Sequence, residues 1–134
     1  MATQAVSSHD SIIPRLQQIV GADHVLLDEK SRAFFSTDLS WRPREIAEVV
    51  IQPGSIDELS AAVTAASDAG MAIVPRGGGM SYTSGYTPSQ AGSMLIDMRR
   101  MSKIHEINTD DMYVIVEAGC TWKELHEALA PHGV

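Results

Sequence analysis

Apolar positions along the chain follow two periods, and the switches between them mark out its elements. From Ser11 to Val20, Ile12, Ile13, Leu16, Ile19 and Val20 recur at helical spacing, with Pro14 in the first turn and Gly21 closing the segment. Asp23 to Arg44 is irregular: a short helix around Lys30 to Phe35, then a loop holding Asp38, Trp41 and Pro43. Glu45 to Ile51 reads as a strand ended by Pro53-Gly54. Ser55-Ile56-Asp57-Glu58 has the form of a capping box, in which Ser55 and Glu58 satisfy each other's free backbone donors. Ile56, Leu59, Ala62, Val63 and Ala66 then line one face of a helix that Gly70 ends, and Met71 to Val74 is an apolar run suited to a buried strand. Strand, helix and strand in about 30 residues predict a βαβ unit with its two strands parallel.

Pro75 to Ser93 breaks both periods with five glycines, two prolines and four serines, and a loop this long inside a compact domain is functional or disordered. Met94 to Asp97 reads as a strand, and Lys103–Asn108 with Met112–Ala118 as a hairpin around Thr109-Asp110-Asp111. Thr121-Trp122-Lys123-Glu124 is a second capping box, opening a helix with Trp122, Leu125, Ala128 and Leu129 on one face; Trp122 is read there as a packing residue. The chain stops at His132-Gly133-Val134, where a further strand is expected, so it reads as a truncated piece of a larger domain. The pattern predicts an α+β fold, a small mixed sheet with packed helices, in which residues 1–44 lead into a unit formed by 45–134.

Composition narrows the chemistry. The length of 134 residues suits one domain, and 44% apolar content is enough to give it a core. Seventeen acidic against ten basic side chains give a net charge of −7, and the densest basic stretch, Arg99, Arg100 and Lys103, follows Asp97. A nucleic-acid partner is therefore not expected, and a phosphorylated ligand would have to be held by backbone N–H groups. No run approaches the roughly 18 apolar residues of a transmembrane helix. Met1 to Asp10 is polar, without the basic flank and apolar stretch of a signal peptide. Cys120, the single cysteine, rules out an internal disulfide and suits a reducing compartment, the cytoplasm. The five histidines, His9, His24, His105, His126 and His132, do not pair at metal-ligand spacing, so no metal site is expected. Cys120, between Gly119 and a helix start, reads as a small buried filler ahead of a reactive thiol with a depressed pKa. Gly119 suits either close cofactor approach or a plain strand-to-helix turn.

The informative segment is Pro75-Arg76-Gly77-Gly78-Gly79-Met80-Ser81-Tyr82-Thr83-Ser84-Gly85. Three glycines after a buried strand let successive N–H groups point into one concavity, a nest suited to a diphosphate. Ser81 can add a hydroxyl donor and Arg76 a charge at the rim. Composition alone balances this reading against a solvent-exposed surface loop, and leaves Tyr82 and Tyr86 as either cofactor-stacking or simply exposed. Spacing excludes the Walker loop, since no lysine follows the glycines. The dinucleotide pattern G-x-G-x-x-G fits Gly77 and Gly79 but meets Tyr82 at its third glycine, and the turn-rich segment after it supplies no helix, which leaves an NAD-type Rossmann domain the weaker account even with Asp97 about 20 residues on.

Several motifs in order then resemble one family: Gln52-Pro53-Gly54-Ser55, a capped helix, Val74 through Ser81, Ile96-Asp97, Ile104, and Val116-Glu117-Ala118-Gly119-Cys120-Thr121-Trp122-Lys123-Glu124-Leu125. From about Asp38 onward the chain is similar to the FAD-linked oxidases, the vanillyl-alcohol-oxidase-type flavoproteins with a PCMH-type FAD-binding domain, and most of all to the glycolate oxidase and D-lactate dehydrogenase group. The resemblance implies the first lobe of a two-lobed FAD domain, with a second lobe and a substrate cap to follow. It implies that Arg76, Gly77, Gly78, Gly79, Met80 and Ser81, with Gly85 at the far end, hold the FAD diphosphate. Many relatives carry a histidine beside the serine that bonds covalently to flavin; Met80 stands there in this chain, which implies non-covalent FAD. Ser84 replaces a frequent glycine. The complete protein would oxidise a small 2-hydroxy acid, with no catalytic base identifiable in this chain. A non-catalytic fragment without cofactor is the alternative.

Overall fold

The computed structural model describes residues 12–40 and 43–133. Ser11 and Trp41 lie outside the described residues. Helix α1, Ile12–Val20, buries Ile12, Leu16 and Val20 on one stripe, and Gly21 leaves it at φ 89°. Burying side chains of this size contributes about 1.5–3 kcal/mol each. A 3₁₀ turn, Ala22–His24, and two further short elements follow: β1, Val25–Leu26, and α2, Glu29–Phe35, whose first turn is capped by Asp28 accepting from Ser31 N–H.

Strand β2 is Val49–Ile51, shorter than the Glu45–Ile51 expected. Ala47, two residues before it, uses other partners: its N–H donates to Ser36 Oγ at 3.0 Å, and the Arg32 guanidinium donates to its carbonyl at 3.1 Å. Helix α3, Ile56–Asp68, ends as predicted at Gly70. Met71 N–H bonds back to Ala66 O and Gly70 N–H to Ser67 O, the paired closure that a left-handed glycine (φ 69°) permits. At the other end the expected reciprocal box is only half made. Ser55 Oγ accepts from Glu58 N–H, but the Glu58 carboxylate reaches past Ser55 to Gly54 N–H at 2.7 Å, drawn toward Arg100 3.8 Å away. Ile56, expected on the buried face, is 71% exposed; the buried stripe is Ala62, Ala65 and Ala66.

Strand β3 runs Ala72–Arg76, two residues beyond the expected end at Val74, and β4 is Ser93–Asp97. The sheet order is β1-β2-β4-β3. β2 and β3 are parallel, as a βαβ unit requires, but β4 lies between them and pairs with both. This placement leaves β3 at an edge, where a strand tolerates Pro75. The core lies between the sheet and helices α1 and α3, with Leu16, Val49, Ile51, Ala62, Met94 and Ile96 fully or almost fully enclosed. On the opposite face Phe35, Ala47, Val50 and Leu95 form a smaller cluster under α2.

A 3₁₀ turn, Met98–Arg100, leads to a separate two-stranded hairpin, β5 Ile104–Asn108 and β6 Tyr113–Val116. Its turn is closed by Asp111 N–H donating to Asn108 Oδ1 at 2.8 Å. Helix α4, Trp122–Leu129, opens with the full reciprocal box: Thr121 Oγ1 accepts from Glu124 N–H, and Glu124 Oε2 accepts from Thr121 N–H at 2.7 Å. Its apolar stripe is not covered. Trp122, expected to pack, is 81% exposed, because no described element lies over that face.

Candidate functional site

The glycine loop leaves the end of β3 and runs against the turn between β6 and α4. Gly77 is required there because a Cβ would come 2.8 Å from Ala118 O. Gly119, in that turn, has a tighter reason: a Cβ would fall on the Met98 carbonyl and within 2.7 Å of Met101 O. Close backbone approach to the 3₁₀ turn, rather than to a cofactor, accounts for this glycine. Loop and turn face each other across a cleft of about 460 Å³. Gly77 to Met80 form one wall, Cys120 to Lys123 the other, and Tyr86 also lines it.

None of the hydrogen bonds made among the described residues uses the N–H groups of Gly78, Gly79 or Met80. Gly78 has ordinary room, since a Cβ there would stand 3.6 Å from Thr121 Cγ2. Gly79 has none: it sits at φ 82°, and a Cβ would strike the Arg76 guanidinium. Tyr86 is buried, and its hydroxyl donates to Gly79 O at 2.7 Å, while Tyr82 is 61% exposed beside Met80.

Arg76 is not at the rim. It is 7% exposed, as the last residue of β3, with its Cζ 5.2 Å from the Phe35 ring centroid, 5.0 Å from Tyr86 and 5.9 Å from Phe34. These three ring faces draw the side chain under the loop, each contact worth about 0.5–2 kcal/mol. Ser81 and Gly85 form the turn beyond the cleft: Ser81 Oγ accepts from Gly85 N–H at 3.1 Å. Ser84 holds φ 60°, a left-handed conformation costly for a residue with a Cβ. Asp38, buried, offsets that cost by accepting from Ser84 N–H at 2.8 Å, and Leu39 N–H donates to Ser81 O.

Asp97 is not available to a ribose. It is 1% exposed and occupied by Arg99, with Nε 2.9 Å from Oδ1, and by Gln52 Nε2 at 2.8 Å. Cys120 is half-buried and lines the cleft, and desolvation, with the nearby Glu124 charge, pushes its thiol above the ordinary range. Its position at a helix start does not depress it, since Glu124 already neutralises that end. Sequence reasoning missed the whole second wall of the cleft, although the box at Thr121-Glu124 marks where a helix start would face the loop. Among the described residues, no group of three or more metal-ligating side chains occurs and no helix is long and apolar enough to cross a membrane.

The chain belongs to the FAD binding domain family, which matches residues 47–134. It is 37% identical over 89 residues to the mitochondrial D-lactate dehydrogenase (cytochrome) of Arabidopsis thaliana, a match covering 66% of this chain and 16% of that protein. To glycolate oxidase subunit GlcD of Bacillus subtilis (strain 168) it is 27% identical, over 90% of this chain and 25% of that protein. The chain thus spans a quarter or less of the length of these relatives. Among solved structures, p-cresol methylhydroxylase with substrate bound superposes with a TM-score of 0.82 at 16% identity, covering 96% of this chain and 26% of that one. Alkyldihydroxyacetonephosphate synthase gives 0.82 at 20%, covering 99% and 27%. The fold is that of the vanillyl-alcohol-oxidase-type flavoproteins. The loop suits a diphosphate in three respects: glycines at 77 and 79 where the packing admits no side chain, N–H donors unused among the described residues, and a buried guanidinium beneath.

Proposed function

We propose that Gly77 to Met80, with Arg76 beneath and Ser81 and Gly85 fixing the turn, hold the diphosphate of FAD without a covalent bond. The observation that carries this reading is the set of free N–H groups at Gly78, Gly79 and Met80 on the wall of a cleft. Charge-assisted bonds of this kind contribute about 1.5–3 kcal/mol each. The Met80 thioether offers no nucleophilic nitrogen, and the Cys120 thiol is held protonated, so neither side chain favours attachment to flavin.

Residues 45–134 are the first lobe of a two-lobed domain in this reading, with the earlier residues leading into it and a second lobe and substrate cap completing the enzyme. The matched relatives are named for D-lactate and glycolate, which supports a small 2-hydroxy acid as the substrate. FAD, when bound, supplies the redox chemistry by accepting a hydride. What this chain contributes is a fixed seat for the diphosphate. A cytoplasmic setting belongs to the same proposal, resting on the unpaired Cys120.

The test uses the longest form of the protein that purifies folded. Gly78→Val, whose branched side chain would extend from the loop toward Thr121 on the opposite wall and so into the cleft, should weaken FAD binding by at least about tenfold. His126→Ala, on the exposed side of α4, should leave affinity unchanged. Equal FAD affinity in wild type and Gly78→Val would remove the assignment. Flavin should also separate from the polypeptide on acid denaturation; flavin that stays with the chain would contradict non-covalent binding.

A further inference from the structure

Among the described residues, none forms an ion pair with the buried cation of Arg76. Arg76 is 7% exposed, and its Nε and Nη1 have no hydrogen-bond partner among the described residues. The buried carboxylate on the next strand, Asp97, is taken by Arg99 and Gln52. Asp38 accepts from the N–H groups of Ser40 and Ser84. Aromatic faces offset part of the cost of burying a charge, but not the loss of hydrogen bonds to water.

What separates this cation from the cleft is backbone. Gly79 lies directly against the guanidinium, at a position where any Cβ would strike it. Gly79 also lines the cleft. The Tyr86 hydroxyl, whose ring carries the guanidinium, donates to Gly79 O, and that carbonyl shares a peptide unit with Met80 N–H. Drawing electron density toward the carbonyl strengthens the Met80 donor. Cation, tyrosine and peptide therefore bias one short stretch of loop toward negative charge.

We propose that Arg76 is a positioning residue that attracts the anion from beneath, through the Gly79 backbone and without touching it, and that the bound anion supplies the counter-charge this arginine lacks. The proposal rests on the diphosphate reading of the loop, and adds that charge at position 76 sets the affinity.

The test titrates inorganic pyrophosphate into the full chain at fixed ionic strength, following the amide NMR shifts of Gly78, Gly79 and Met80. In the wild type these amides shift saturably. Arg76→Met, uncharged and similar in bulk, should bind at least about tenfold more weakly. Arg76→Lys keeps a cation on the same ring faces and should stay within about threefold of wild type. Wild-type affinity in the Met variant overturns the proposal. So does a Lys variant as weak as the Met variant, because shape rather than charge would then set affinity. If the Met variant loses its amide dispersion, Arg76→Gln replaces it; if that also fails to fold, a Lys variant more than about tenfold weaker than wild type overturns the proposal. Loop amides in the wild type that respond to neither pyrophosphate nor FAD would remove the diphosphate reading itself, and the role of Arg76 with it.

Discussion

The four-stranded sheet with α1 and α3 and the hairpin with α4 use similar apolar patterns to opposite effect. In the first region the stripes of the helices meet β2 and β4, and Leu16, Val49, Ile51 and Ala62 have no exposure. In the second, Ile115 is 48% exposed, Val116 37% and Trp122 81%, and α4 has no buried residue. An apolar period states that a face is made for burial. It does not state that the covering element is at hand. The two regions meet at a narrow seam, where Gly119 N–H donates to Met101 O at 2.8 Å and Gly77 lies against Ala118 O, and that seam carries the cleft between Gly77 to Met80 and Cys120 to Lys123.

Substitutions should separate the regions by size of effect. Leu16→Ala, in the closed core, should destabilise by about 2–5 kcal/mol in urea unfolding. A loss below about 1 kcal/mol would mean that the sheet and its helices are not the stable unit. At the seam, Gly119→Ala should cost about 1–3 kcal/mol, since the Met98 carbonyl is backbone and cannot turn aside. Ser84→Gly should stabilise by about 0.4–1 kcal/mol by relieving the left-handed serine, provided the Asp38 contact to the amide persists. Trp122→Ala should stay within about 0.5 kcal/mol of wild type, and a loss comparable to that of Leu16→Ala would erase the contrast between the regions. The smallest effect concerns pH. The Thr121 hydroxyl and N–H bonds hold the Glu124 carboxyl below its usual range. A lowered pKa in the folded state gives stability that is present above the unfolded value and lost as pH falls through the folded one. The Thr121 amide resonance should therefore hold steady from neutral pH and move only below the ordinary glutamate range, while Glu124→Gln should abolish that step.

Local signals were legible in the sequence because they act over a few residues. The Thr121-Glu124 box, the closure at Gly70 and the turn at Asn108 to Asp111 all formed near where the pattern put them. The order of strands was not legible: nothing within Met94 to Asp97 says that it enters between β2 and β3. The first of them ends at Ile51, far earlier in the chain. β1 was missed because two residues carry no period. The glycine loop was recognisable, yet its third dimension was not. Arg76 reads as a charged residue beside a turn, and only the packing of Phe34, Phe35 and Tyr86 places it beneath. Likewise the half-made box at Ser55 depends on Arg100, distant in sequence, which draws Glu58 aside.

Pro75 has a consequence for solubility. The ladder from β3 to β4 continues through Arg76↔Asp97, so the donor that Pro75 lacks belongs to the outer side of the strand. A neighbouring molecule seeking to extend the sheet there meets a gap in the row of N–H groups, which makes this edge a poor template for aggregation. The same ring holds Val74 in an extended conformation. The glycine loop therefore departs from a stiff, self-limiting rim, and freedom in the backbone begins only at Gly77, beyond it.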